Sequence, residues 1–239
     1  MFCNGIFHSW DNLSNIFLIW INFGWGLKII LFFPILFLAH FQAVLIPIFL
    51  GIKSINKFKN IKNNSIIPFG FIFLGLASMF EMIDHTQTDW VYIDHSSIYN
   101  WLFYSSLSLG LTIFSISVIK KKFFIGIHIF LSFCSMVSYL LIDKKVALLF
   151  QIMISILLII NWQRFFKDWF FIMYPIFGIF FTTFFGTNLS FSDNQIWHIF
   201  IGPSGTISVL TFYFVLKRFE NINAKFLWIR LFLNLFFFY

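Results

Sequence analysis

Residues 120–145 read KKKFFIGIHIFLSFCSMVSYLLIDKK. Positions 123–142 pass without a charged side chain, and lysines flank them on both sides. A helix of that length rises about 30 Å, the thickness of the hydrocarbon layer of a bilayer. Lipid offers the backbone no hydrogen-bond partner, so such a run must be helical. Working outward, similar apolar runs recur at 29–52, 66–85, 97–119, 145–163, 169–189 and 195–216. The stretch 13–27 is also apolar but is broken by Asn15, Asn22, Gly24 and Gly26. It reads as an interfacial or re-entrant segment, with an eighth span as the alternative. The tail from Lys225 to Tyr239 is short for a crossing and holds Lys225 and Arg230, so it is expected on the membrane surface.

Composition supports this. Of 239 residues, 60% are hydrophobic and 10% charged, whereas soluble domains carry about a quarter charged residues. A soluble monomer, a disordered chain and a disulfide-built module are excluded. The net charge is +7, but the basic residues fall between apolar runs, so no nucleic-acid partner is expected. Cys3 and Cys134 are too differently placed to pair. The first 27 residues hold no Lys or Arg, so no cleavable signal peptide is expected. The 40 Phe residues, with abundant Ile, Asn and Lys, point to AT-rich coding and give any single Phe little functional weight.

The expected fold class is all-α, an integral, multi-pass membrane bundle of seven transmembrane helices. Three parts follow: an outer or interfacial segment at 1–28, the seven-helix domain at 29–219, and a cytosolic amphipathic tail at 220–239. Seven spans place Lys53, Lys57, Lys59, Lys62, Lys120, Lys121, Lys122, Arg164, Lys167, Lys217, Arg218, Lys225 and Arg230 on one side. Asp11, the acidic loop from Asp84 to Asp94, the loop from Asp143 to Lys145, and Asp193 fall on the other. The positive-inside rule then puts the N-terminus outside and the C-terminus in the cytosol. Lys28 runs against the pattern, but a lysine near a helix start reaches the interface along its own stem. Trp90, Trp101, Trp162 and Trp169 read as interfacial belts.

Most acidic residues and histidines fall in two places. One is Glu81, Asp84 and His85, followed by Asp89, Asp94 and His95; the other runs from Asp193 to His198. Both lie at the outer end of the expected bundle. Glu81 and His85 are four apart and share one helix face. With His198 they make a two-histidine, one-carboxylate set that leaves a coordination position for water, as catalytic zinc sites do. Zinc would activate that water, and Asp94, Asp89 or Asp84 would serve as general base or orient a ligand imidazole. The alternative for Asp84, Asp89, Asp94 and His95 is a solvated outer loop, and for His198 a belt position beside Trp197. His40 and His128 sit deeper, in spans one and four. They read as groups that hydrogen-bond across helices, with Gln42 or Ser132 as neighbours, and haem ligation is the alternative. The serines at 105, 106, 108, 132, 135 and 138 read as small-residue packing. Gly202, Pro203, Ser204 and Gly205 would loosen span seven or permit close helix approach.

This pattern resembles the CREST-type seven-transmembrane hydrolase superfamily, which includes alkaline ceramidases and the progestin and adiponectin receptor relatives. Its members carry Ser-x-x-x-His near the end of span two, an Asp near the start of span three, and a His-x-x-x-His pair opening span seven. Here Glu81-x-x-x-His85, Asp94 and Asn194-x-x-Trp197-His198 occupy those positions. The resemblance implies that His85 and His198 hold zinc and that Asp94 matches the family Asp. Glu81 stands in place of the Ser and Asn194 in place of a ligand His, so Glu81 would supply the missing ligand.

The reading that follows is a zinc hydrolase with metal ligands Glu81, His85 and His198. Asp94 and Asp84 would be its catalytic carboxylates, and an amide or ester bond of a membrane lipid its substrate. The alternatives are a non-catalytic membrane subunit with protein partners, or a seven-helix receptor or sensor. Retinal is disfavoured because span seven has no interior Lys. In a background lacking both native cysteines, a membrane-impermeant maleimide added from outside should label Asp89→Cys and spare Lys121→Cys. The reverse pattern would invert the orientation.

Overall fold

The computed structural model describes the backbone of residues 25–87, 97–181 and 194–237, with side chains described at 34–86, 97–180 and 199–221. Among the described residues there are six regular helices: α1 (Trp25–Ser54), α2 (Ile67–Gln87), α3 (Ile98–Ser117), α4 (Lys122–Leu141), α5 (Lys144–Phe166) and α7 (Asn194–Phe237). Between the last two lies α6, a composite of a 3-10 turn (Trp169–Ile172), a short α piece (Met173–Pro175) and a π-helical stretch (Ile176–Phe181). One of these seven elements falls in each of the seven expected spans, and no strand occurs among the described residues. The expected segments at 13–27 and 88–96, and with them Asp89, Asp94 and His95, lie outside the described residues. Two compact units divide the chain, Met1–Leu38 and Ala39–Tyr239. The described residues of the first are the opening turns of α1. The second holds the rest of α1 and the other helices.

Five of the helical segments are long and apolar enough to cross a membrane: Pro34–Ser54, Asn64–Thr86, Lys122–Leu141, Lys144–Phe166 and Ile199–Asn221. α3 is not among them, and its surroundings explain why. Ser105, Ser106, Ser108, Thr112, Ser115 and Ser117 are all buried along its length. α3 packs against α2, α4 and α5. A helix screened from lipid by its neighbours can carry hydroxyls that a lipid-facing helix cannot.

α4 has the opposite pattern to a helix of a soluble protein. His128, Ser132, Ser135 and Ser138 recur every three or four residues and are buried, while Ile129, Phe130, Phe133 and Leu140 face outward. One of the inward hydroxyls links three helices: Ser135 sits 3.0 Å from the Ser108 hydroxyl and donates to the Ala147 carbonyl at 3.1 Å. Gln151 of α5 donates to the same Ser108 hydroxyl and to the Tyr104 carbonyl. The serine runs therefore do the packing work expected of them.

The apolar core lies toward the end of the bundle that carries the lysine clusters, called here the basic end. Phe114 of α3 stacks on Phe212 of α7 at 4.4 Å between ring centroids. Phe71 of α2, Trp162 of α5 and Phe171 of α6 close around this pair. Trp162 is fully enclosed, and its indole N–H donates to the Phe114 carbonyl at 2.7 Å. The belt expectation is thus corrected for this residue, because a ring at the centre of five helices has no interface to reach. Trp169, 70% exposed, keeps a peripheral position. At the same end Lys167 adopts a left-handed conformation that closes α5. Asp168 then caps the 3-10 turn and pairs with Arg218 of α7 at 3.2 Å.

α7 runs unbroken for 44 residues, about 66 Å at 1.5 Å per residue, far more than one crossing needs. Its backbone continues helically through the region expected to form a separate tail. Pro203 lies inside it, and Thr206 donates to the Gly202 carbonyl at 3.0 Å. Trp162→Ala should lower stability by about 3–5 kcal/mol, the usual cost of emptying a large aromatic site. Trp169→Ala should leave it nearly unchanged. Thermal unfolding in detergent checks this, and equal effects would refute the placement of the core.

Candidate functional site

Two glycines set the helix spacing on which the site depends. A Cβ on Gly75 of α2 would lie 2.7 Å from Ile48 Cγ1 and 3.0 Å from the Val44 carbonyl oxygen of α1. The two helices therefore run almost backbone to backbone there. A Cβ on Gly202 of α7 would overlap the Ala39 carbonyl oxygen of α1. This close approach is the outcome seen for the Gly202–Gly205 stretch, where the helix is not interrupted.

One turn from Val44, α1 carries His40, and α2 carries Glu81 and His85 beyond Gly75. His40 lies fourteen residues before the end of α1 at Ser54, and Glu81 fourteen residues after the start of α2 at Ile67. The connection between them sets both at the same depth. One ligand-type atom from each of His40, Glu81 and His85 lies within 4.8 Å of the others. Glu81 Oε1 is 3.9 Å from His85 Nε2. The two imidazoles meet edge to face, with centroids 5.5 Å apart and planes at 83°. His40 and His85 are buried, and Glu81 is partly so. Among the described residues this is the one group of three such side chains close enough to share a metal ion.

Of the expected ligands, Glu81 and His85 are thus brought together. His198 lies in the first turns of α7, one turn before Gly202 on the same helix, and its side chain is outside the described residues. Asp94 is also outside them. Asp84 is buried, and its carboxylate accepts a hydrogen bond from the Ser97 hydroxyl. That hydroxyl in turn accepts from the Asn100 N–H at 3.0 Å, capping α3. Asp84 therefore ties the last turn of α2 to the first turn of α3.

His40 is the residue that sequence reasoning placed elsewhere, as a solitary deep histidine. Its equal depth with Glu81, counted from the shared connection, is the signal that pairs them. The other deep histidine, His128, belongs to a separate polar knot near the basic end. Its Nδ1 donates to the Phe124 carbonyl at 2.7 Å, which leaves Nε2 to accept. Nε2 lies 2.7 Å from the Ser115 hydroxyl and 3.2 Å from Asn161 Nδ2, and Asn161 also donates to Ser115 at 3.0 Å. The neighbours expected for these histidines, Gln42 and Ser132, are not partners of His128. With both of its ring nitrogens engaged by protein groups, the haem alternative has no support at this residue.

A family model described as a seven transmembrane receptor (7TM_cyano) matches residues 31–221. No curated protein and no solved structure matches the chain. The match overturns the resemblance to the CREST-type hydrolase superfamily. That resemblance rested on span count, orientation and a few positions, and the first two are shared by unrelated seven-helix proteins. At two of its marker positions this chain has Glu81 and Asn194 in place of Ser and His. Nothing in the match supports lipid hydrolysis. The helices, their apolar outer faces and the matched length together make this an integral, multi-pass membrane protein that belongs to the seven transmembrane receptor family.

Proposed function

We propose that the protein works as a membrane receptor or sensor that takes its signal near His40, Glu81 and His85 and passes it along α3 to the basic end. The observation that carries this reading is the series of side-chain bonds down α3. At one end Asp84 holds Ser97, and Tyr139 donates to Asn100 at 2.9 Å. Midway, Ser108 joins Ser135 of α4 and Gln151 of α5. At the far end, Ser115 joins His128 and Asn161. The links tie α3 to α2 at its first turn and to α4 and α5 along the rest of its length, so a shift of its first turn is felt along its whole length.

The first link adjoins the candidate site directly. Asp84 is one residue from His85 and three from Glu81, on the same helical turn. The last link reaches the surface. Asn161 lines a pocket of about 310 Å3 at the basic end, with Lys120, Lys121 and Arg164 around it. A change in the Ser115, His128 and Asn161 knot would alter that pocket, where an anionic or acidic partner would find complementary charge. Under the positive-inside rule this end faces the cytosol, which is where a receptor's output is needed. The family match over 31–221 supports the same reading.

A subunit that only packs within a larger complex needs no coupling from end to end, and this separates the two readings. Ser97→Ala removes the Asp84 bond and the α3 cap together. Hydrogen exchange of the variant in nanodiscs should quicken not only beside residue 97 but also in the connections at 118–121 and 163–168, about 30 Å away along the helix. Change confined to residues 84–101 would reject the receptor reading in favour of the packing subunit.

A further inference from the structure

We propose that His40, Glu81 and His85 bind one divalent transition-metal ion of the zinc class, with α1 contributing a ligand as well as α2. The set differs from the one read from the sequence, because the third ligand is His40 and not His198.

The donor chemistry comes first. Two imidazole nitrogens and one carboxylate oxygen suit zinc, iron, cobalt, nickel or copper, while magnesium and calcium prefer oxygen alone. Cys134 lies on α4, and the thiol-free set excludes a thiolate site. Three protein ligands leave a position open for water or for an outside ligand, so an ion here would be exchangeable and responsive.

Geometry is the second argument. Donors that share a tetrahedral ion at about 2.0–2.1 Å lie roughly 3.3 Å from one another. The pair from Glu81 and His85 is at 3.9 Å, and all three atoms fall within 4.8 Å. Side-chain rotation alone closes that gap. The backbones need no adjustment, since Gly75 already brings α1 and α2 into contact one to two turns away, and Gly202 seats α7 against the Ala39–His40 backbone.

Electrostatics is the third. Both histidines are almost wholly buried, at 1% and 3% exposure, in a segment that spans a membrane. Ionisable groups gathered at that depth mark ligand or ion sites far more often than packing. Asp84, buried on the same turn, adds a second carboxylate beside Glu81. Two acidic groups and two imidazoles favour a doubly charged cation over a single proton or a monovalent ion.

Ion binding itself is independent of the receptor reading. Only the further step, that the ion or its open position is the signal, rests on it. The full-length protein, stripped with a chelator and placed in nanodiscs, is titrated with Zn2+ and, for its visible absorption, with Co2+. One ion per chain is expected, with nitrogen-ligated Co2+ bands and no competition from Mg2+ in large excess. His40→Ala, Glu81→Gln and His85→Ala should each weaken binding by at least about tenfold, the scale at which even outer-shell partners act. His128→Ala should bind as the wild type does. The wild-type Co2+ spectrum gives an answer even where a variant fails to fold. Failure of the stripped wild type to take up either ion overturns the proposal. So does binding that survives His40→Ala but is lost in His198→Ala, which would restore the set read from the sequence. A chain that binds the ion yet shows no long-range exchange in Ser97→Ala would keep the metal site and lose the receptor reading.

Discussion

Hydrocarbon gives a hydroxyl, an amide or an imidazole no partner, so a polar side chain carried into the membrane is stabilised by a bond to another part of the same bundle. α3 is where this chain makes such bonds. Ser97 bonds to α2, Ser108 and Ser115 each bond to both α4 and α5, and the carbonyl of Phe114 receives the Trp162 indole. Of the helices packed against α3, α4 shows the pattern most clearly, turning phenylalanines and isoleucines outward and serines inward. A soluble helical bundle keeps the reverse arrangement for the same reason, with water as the solvent in place of lipid.

The two ends of the bundle divide the work. Toward the basic end, Phe71, Phe114, Trp162, Phe171 and Phe212 interlock and hold five helices in one arrangement. Toward the opposite end, α1 and α2 are held by glycine contacts, and the groups between them are ionisable. Aromatic packing thus lies at one end and a polar cluster at the other. α3 passes through both regions.

Much of the fold could be read from the sequence because the membrane imposes a single length scale. Each run of about 20 apolar residues had to be a crossing helix, and lysines between the runs marked their ends. α3 shows where hydropathy alone falls short: it carries a row of hydroxyls because α2, α4 and α5 enclose it. Trp162 shows a second shortfall. From the sequence it is one more tryptophan near a span end, and only the packing of five helices distinguishes it from Trp169. The candidate site was half legible. Glu81 and His85 stood out through their spacing of four. His40 did not, because its relation to them lies across two helices.

The sequence by itself determined that this chain is a helical membrane protein, where along the chain its apolar spans fall, and which carboxylate and histidine share the last turns of α2. Those are local matters, set by residue spacing and by the solvent around each segment. Tertiary structure alone decided that His40 joins Glu81 and His85, that Asp84 belongs to the cap of α3, and that His128 is bound up with Ser115 and Asn161. Each of these depends on how closely two helices approach and how they are rotated about their axes. Contacts such as those at Gly75 and Gly202 fix both, and no periodicity within one segment encodes them.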